Sequence, residues 1–313
     1  MARRILLALG GNAILPAGKS GTIEEQREIT TRSLRPLVET LDAEDKLVIT
    51  HGNGPVVGNI LIRNAAASEE IPPMPIDVCD ADSQGGIGYM IAQSMENVLR
   101  AAHISRPVTA LVTRIRIDPD DPALRNPTKP IGPFYSPERA AALAAEKGWT
   151  VKDDSGRGWR RVIGSPAPLE ILELPAARTL LEAGHVVIAA GGGGIPVALD
   201  GNDRYVGVEA VIDKDRASAL LAVGLGIETL IVVTGVTHVA VDFGKPTQRD
   251  LDTLTAAEAG RYLAAGEFGE GSMKPKIESV LRFLADGGRE AYITSPDAIG
   301  ATLQGASGTR IAP

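Results

Sequence analysis

The sequence predicts an α/β protein, a doubly wound sandwich built on a mainly parallel sheet, and two observations carry that expectation. Three apolar, β-branched runs end abruptly in glycine: Ile5-Leu6-Leu7-Ala8-Leu9-Gly10-Gly11-Asn12, Leu47-Val48-Ile49-Thr50-His51-Gly52-Asn53-Gly54, and Val186-Val187-Ile188-Ala189-Ala190 before Gly191-Gly192-Gly193-Gly194. Short continuous runs of this kind read as strands buried on both faces, the habit of parallel sheets. The second observation is that segments with helical spacing stand between the strands along the whole chain, which implies helices packed on the sheet. A glycine turn at a strand's carboxyl end leaves backbone N–H groups open to a phosphate. Three such turns point to an anionic ligand along that edge of the sheet.

The elements follow in order. After the first strand, Thr22 reads as the N-cap of a helix running from Ile23-Glu24-Glu25 toward Leu41. A strand over 46–50 follows, and its glycine turn feeds a helix with Val57, Ile60, Leu61 and Asn64 on one face. Ser83-Gln84-Gly85-Gly86-Ile87-Gly88-Tyr89 opens a helix to about Leu99, and 107–117 alternates as a strand. From 118 to 165 the character changes, with prolines at 119, 122, 127, 130, 133 and 137 and a polar Gly156-Arg157-Gly158-Trp159-Arg160-Arg161. So long a stretch exceeds an ordinary loop and reads as a small protruding subdomain, able to move, inserted in the first half. The sheet resumes at 186–190. Helices are expected over 213–222 and 255–265, with a strand over 229–234 between them. Ile277, Val280, Leu281 and Leu284 mark an i, i+3, i+4, i+7 face over 276–284, then a last strand over 291–294 and a short helix over 298–303. No internal repeat is present.

Bulk numbers bound the function. A chain of 313 residues, 44% hydrophobic and 23% charged, can bury a large core and is not disordered. The net charge is −7 with no Lys/Arg cluster, which excludes a nucleic-acid footprint. Phosphate chemistry must then rest on a few placed lysines. One cysteine, Cys79, rules out an internal disulfide and fits a reducing compartment. Met1-Ala2-Arg3-Arg4 precedes too short an apolar stretch for a signal peptide, and no run is long enough to span a membrane. The expectation is a cytoplasmic protein.

Among the motifs, Ala13-Ile14-Leu15-Pro16-Ala17-Gly18-Lys19-Ser20 nearly matches a P-loop but lacks its first glycine and its strand-to-helix setting. The His51 to Gly58 stretch is one residue too long for a dinucleotide fingerprint. Histidines 51, 103, 185 and 238 have no companions at metal-ligand spacing. His51 either touches ligand or is a strand-end histidine held by hydrogen bonds. Cys79 reads as a small core residue rather than a nucleophile. Lysines carry more weight: Lys129 between prolines on the subdomain, Lys214 in Asp213-Lys214-Asp215, and Lys276 after Gly271-Ser272-Met273-Lys274-Pro275. A lysine at a helix start opposes the macrodipole, a conflict that a bound anion resolves; a solvated surface lysine is the alternative for each.

Taken together, Ala8 to Ala13, Thr50 to Pro55, Asn126 to Tyr135, Gly191 to Val197, Gly207 to Asp215 and Gly271 to Lys276 resemble carbamate kinases, of the amino acid kinase superfamily. The resemblance runs in order from the first strand to the last. It implies a single domain over 1–313, a three-layer αβα sandwich with the 118–165 subdomain protruding, working as a homodimer. Residues 1–210 would form mainly the acceptor half and 211–313 mainly the nucleotide half. The implied reaction is ATP plus carbamate giving ADP and carbamoyl phosphate, used toward ATP in arginine or purine/allantoin breakdown. By position, Gly10, Gly11, Asn12 and the Gly52-Asn53-Gly54 turn would cradle the transferring phosphate and carbamate. Lys129 would reach the transferring group, Lys214, Met273 and Lys276 would serve the nucleotide, and Asp215 would orient the lysines. Relatives that act on amino-acid carboxylates carry lysine where Ala8 stands here, which favours carbamate.

That chemistry suits the residue inventory. Carbamate is already an anion, so attack on the γ-phosphorus needs alignment and charge neutralisation rather than a general base. Mg²⁺ would be held largely by nucleotide phosphates, with no protein carboxylate cage for it. The resemblance has departures. Where the family pattern reads Cys-Gly-Ala-Met-Ser-Gln-Gly, this chain has Cys79-Asp80-Ala81-Asp82-Ser83-Gln84-Gly85; Lys274 replaces glycine and Val56 replaces glutamine. They are either neutral surface changes or a sign of another small carboxylate acceptor. A catalytically silent nucleotide-binding regulator is the competing class, and the Gly191 to Gly194 turn is either a nucleotide support or a close-packing turn.

Overall fold

The structure is a computed structural model that describes residues 2–15, 21–154, 156, 158–269 and 271–313. Residues 16–20 of the P-loop-like stretch lie outside the described residues. Among those described, eight strands form the main sheet. Its parallel centre runs Glu290–Thr294, Thr229–Val233, Arg4–Leu9, Lys46–His51, Val186–Ile188 and Val108–Ala110 in spatial order. Thr309–Ala312 joins antiparallel beside Glu290–Thr294, and Thr253–Thr255 completes that edge.

Strand alternation divides the core into two layers. Leu6, Ala8, Val48, Val187, Leu230 and Val232 face one side, packed on Leu181, Leu221, Ile277, Val280 and Phe283. Those partners belong to helices Leu174–Glu182, Lys214–Gly224 and Lys274–Ala285. Ile5, Leu7, Leu9, Leu47, Ile49 and Ile231 face the other side, against Leu34, Leu37, Met90, Ile91 and Ile299. There the cover is Ile23–Val38, Ile76–Ala101 and Ile299–Leu303. Helix, sheet and helix make the three layers that the sequence predicts.

Local chemistry fixes the helix starts. The Thr22 hydroxyl accepts from the Glu25 amide at 3.3 Å, and Thr255 with Glu258 forms a reciprocal capping box. Two elements differ from expectation. The 107–117 strand divides into Val108–Ala110 on the main sheet and Arg114–Arg116 in a separate four-stranded sheet. The chain is diverted between them because the Thr113 amide donates to Gln84 Oε1 at 2.7 Å while its hydroxyl accepts from the Ala190 amide at 2.9 Å. The helix expected from Ser83 begins at Ile76 instead, so Gly85, Gly86 and Gly88 lie within it. A Cβ on Gly88 would meet Ala110 Cβ at 3.0 Å, so close packing of helix on sheet explains that glycine.

Within 118–165 stands a small antiparallel sheet of Lys129–Tyr135, Trp159–Ile163 and Val151–Asp153, with helix Pro137–Lys147 beside it. Arg160 stacks on Phe134 at 5.1 Å and Arg161 on Trp149 at 4.7 Å. The polar, turn-rich segment is thus partly ordered by cation–π contacts. Helix Gly54–Ala66 touches this small sheet where Gly58 meets Gly132, and a cavity of about 350 Å³ opens beside that contact, lined by Leu61, Ile76, Ile131 and Trp149 among others. No helix among the described residues is long and apolar enough to cross a membrane.

Candidate active site

The carboxyl ends of the central strands bring the glycine turns side by side. Gly52 donates its N–H to the Leu9 carbonyl at 2.9 Å, and Gly10 donates to the Val233 carbonyl at 3.0 Å. A side chain on Gly52 would press on Lys214 Cδ at 3.3 Å and on the Gly11 nitrogen at 3.4 Å. The Gly191 to Gly194 turn lies beneath them. Gly192, Gly193 and Gly194 all take positive φ, and Cβ atoms on Gly191 to Gly193 would collide with the His51 ring, the Asn53 amide and the Ile212 carbonyl. This turn packs closely against three neighbouring segments, and Gly192 also reaches the cleft lining.

Opposite the glycines, three lysines and two aspartates form a connected chain. Asp213 caps helix Lys214–Gly224, accepting from the Asp215 amide at 2.9 Å, and its other oxygen accepts from Lys129 Nζ at 2.9 Å. Asp215 accepts from Lys214 Nζ at 2.5 Å and from Lys276 Nζ at 2.9 Å. Burial pushes both carboxyls up, but the facing lysines win and hold each below the usual carboxylate range. Burial and the Lys214 charge lower Lys276. Three cations against two anions leave one surplus positive charge. Lys129 is the most exposed of the three, at 37% against 16% and 14% for Lys214 and Lys276, so it is the one best placed to meet a ligand.

A cleft of about 700 Å³ opens between these two sides, which meet where Lys214 packs on Gly52, and its lining includes Gly11, Gly52, Asn53, Gly54, Lys129, Lys214, Asp215 and Lys276. The structure therefore joins eight of the expected residues in one space. Gly10 sits behind that lining with its N–H already used, and Met273 packs partly buried against the core below. The side chain of Asn12 lies outside the described residues. Sequence reasoning missed Asp213 as a partner of Lys129, and Thr128, Ser165, Arg216 and Ser272 in the lining. The signal for Asp213 was present: an aspartate directly before a helix, where an N-cap belongs.

Neighbouring polar groups are tightly held. His51 is fully buried, its Nδ1 3.1 Å from the Gly52 carbonyl, and burial lowers it to about 4, which keeps the ring neutral at neutral pH. It is a strand-end histidine packed on Gly191, outside the cleft lining. Cys79 is buried, with Asn64 Nδ2 3.1 Å from its sulfur, and burial pushes the thiol up, so it is a core residue. Asp82 is exposed, whereas Asp80 is buried beside Asn53, whose Nδ2 donates to Asp80 Oδ1 at 3.0 Å.

The model of the amino acid kinase family matches residues 3–295. A carbamate kinase of Thermococcus kodakarensis is 46% identical over 312 residues, covering 99% of both chains. The carbamate kinase-like protein YahI of Escherichia coli is 43% identical over 314 residues, again with 99% of each chain covered. Among solved structures, a carbamate kinase from Giardia lamblia bound to AMP-PNP superposes with a TM-score of 0.92 at 40% identity, covering 99% of this chain and 98% of the other.

Proposed function

The chain belongs to the amino acid kinase family, and from that premise we propose that it is a phosphotransferase interconverting ATP plus carbamate with ADP plus carbamoyl phosphate. The observation that carries this reading is the set of Lys129, Lys214 and Lys276 tied to Asp213 and Asp215 across a cleft from glycine turns. Phosphoryl transfer needs a donor and acceptor held in line and positive charge on the transferring oxygens. The glycine wall gives close backbone approach, and the lysine wall gives the charge.

In this mechanism Lys214 and Lys276 neutralise nucleotide phosphates while Asp215 keeps both ammonium groups in place. Lys129, its ammonium held by Asp213, enters from the 118–165 lobe and stabilises the group in flight. A carbamate oxygen attacks the γ-phosphorus as the bond to the ADP oxygen breaks. No proton must be removed from the acceptor, and buried, neutral His51 need not act as a base. Residues 1–210 thus serve mainly the acceptor and residues 211–313 mainly the nucleotide, with closure of the lobe bringing Lys129 to the reaction.

Mg²⁺ is proposed to arrive with the nucleotide, and when bound it would neutralise charge on the phosphates beside Lys214 and Lys276. No cluster of three His, Cys, Asp or Glu side chains stands among the described residues, and Asp213 and Asp215 already bind lysines. Nucleotide phosphates would therefore supply most of its ligands. Carbamoyl phosphate is a mixed anhydride, so ATP formation in the cytoplasm, in arginine or purine/allantoin breakdown, is the proposed direction. A homodimer is proposed as well. Its support is the outer edge of the main sheet at Val108–Ala110, with Val112 exposed just beyond it.

The test is ATP formation from MgADP and carbamoyl phosphate by purified, folded protein. ATP is expected; none, with nucleotide still bound in calorimetry, would favour a silent regulator.

A further inference from the structure

The environment of Asp80 has a feature that stability does not explain. Among the described residues it is one of few with a sealed, unpartnered side-chain atom: Oδ2 makes no hydrogen bond, while Oδ1 accepts from Asn53. The residue is 2% exposed. A buried orphan oxygen costs free energy, so a site that keeps one is retained for something other than fold stability.

The hydrogen-bond directions around it are determined. The Ser83 hydroxyl donates to the Asp80 carbonyl at 2.7 Å, so its proton is spent and Ser83 Oγ must accept from Asn53 Nδ2 at 3.1 Å. The second Asn53 amide hydrogen goes to Asp80 Oδ1 at 3.0 Å. Both hydrogens are used, and turning the amide over would set its oxygen against two acceptors. Among the described residues the Asn53 amide oxygen has no donor, yet it is not among the sealed unpartnered atoms, and Asn53 lines the cleft. Burial, opposed by the Asn53 hydrogen bond and aided by Asp77, raises the Asp80 carboxyl to about 8. Its proton belongs on Oδ2, since Oδ1 faces an N–H. A neutral acid there accepts from Asn53 without placing a bare charge beside an anion site.

We propose that Asp80, together with Ser83, is a positioning residue that fixes the Asn53 amide with its oxygen turned to the acceptor end of the cleft, selecting acceptors that carry an N–H next to the reacting carboxylate. The inference rests on the phosphotransferase reading and adds the means of acceptor choice. The Asn53 oxygen accepts from the amino group of carbamate or carbamoyl phosphate, and an acid bearing a methyl group there leaves it unpaired.

The experiment compares carbamoyl phosphate with acetyl phosphate, which has methyl in place of the amino group, as donors to MgADP. Asp80→Ala is expected to lower the kcat/KM ratio of carbamoyl over acetyl phosphate by about tenfold, the worth of one well-formed hydrogen bond. The KM for MgADP should stay within about twofold, because the lysine wall is untouched. Asp80→Asn keeps a carbonyl for Asn53 and should hold the ratio within about threefold of the unaltered protein. If Asp80→Ala does not fold, Ser83→Ala carries the same expectation. A parallel loss with both donors, or an Asp80→Asn protein as unselective as Asp80→Ala, overturns the assignment. An unaltered protein that makes no ATP from carbamoyl phosphate overturns the reading beneath it instead.

Discussion

One wall of the cleft is made of long charged side chains, Lys129, Lys214 and Lys276 reaching to Asp213 and Asp215; the facing wall, Gly11, Gly52 and Gly54, is nearly bare backbone. Each lysine is held by a carboxylate and can be removed without filling or emptying the core. Beneath that wall each glycine of the Gly191 to Gly194 turn is held by lack of space, with Gly193 directly against the Ile212 carbonyl. The difference teaches where function and stability separate. Substitutions on the charged wall should cost turnover and spare the fold, whereas those in the glycine layer should cost the fold first.

The sharpest way to break that contrast is Lys276→Met. It leaves Asp215 paired with Lys214, and turnover should fall by roughly 10²–10³-fold while the thermal midpoint moves by no more than about 4 °C. A large fall in midpoint would erase the distinction between the walls. Gly193→Ala is the mirror experiment. At φ +100 with its Cβ on a carbonyl, it should destabilise by roughly 2–4 kcal/mol in denaturant titration. An unchanged midpoint would show that the turn yields easily.

A smaller effect sharpens the acceptor side. Burial raises the Asp80 carboxyl to about 8 in the folded protein, against about 3.9 when unfolded. The folded state binds this proton more tightly, so stability from Asp80 is fully present below about pH 4 and lost as pH rises toward 8. Asp80→Asn removes that loss. Its thermal midpoint should match the unaltered protein near pH 4 and rise above it progressively up to about pH 8. A constant gap across that range would show that Asp80 is not the neutral acid the structure describes.

Much of this architecture was legible in the sequence, for reasons that can be stated. Strands 4–9, 46–51, 186–188 and 229–233 are continuous apolar runs because both sheet faces are covered, and Thr22 and Thr255 advertise their helices by capping chemistry. The 107–117 segment misled because its alternation holds on both sides of Thr113, while the break depends on Gln84, 29 residues away in sequence. Short strands such as Val239–Val241 and Arg249–Leu251 carry too few residues for a periodic signal. At the site, the glycine turns were visible as abrupt strand ends and the lysines as cations between prolines or at helix starts, and the chain-long resemblance gave them roles. The partnership of Lys129 with Asp213, 84 residues apart, and the burial of Asp80 beside Asn53 arise only when separate elements meet.

The central claim is that Lys129, carried by the lobe, supplies charge to the transferring group and is not needed to hold the nucleotide. ATP formation from MgADP and carbamoyl phosphate by Lys129→Ala tests it most directly, with ADP affinity measured on the same sample. Turnover should drop by roughly 10²–10³-fold with ADP affinity within about threefold of the unaltered protein. Undiminished turnover, or a loss wholly accounted for by weaker ADP binding, would contradict it.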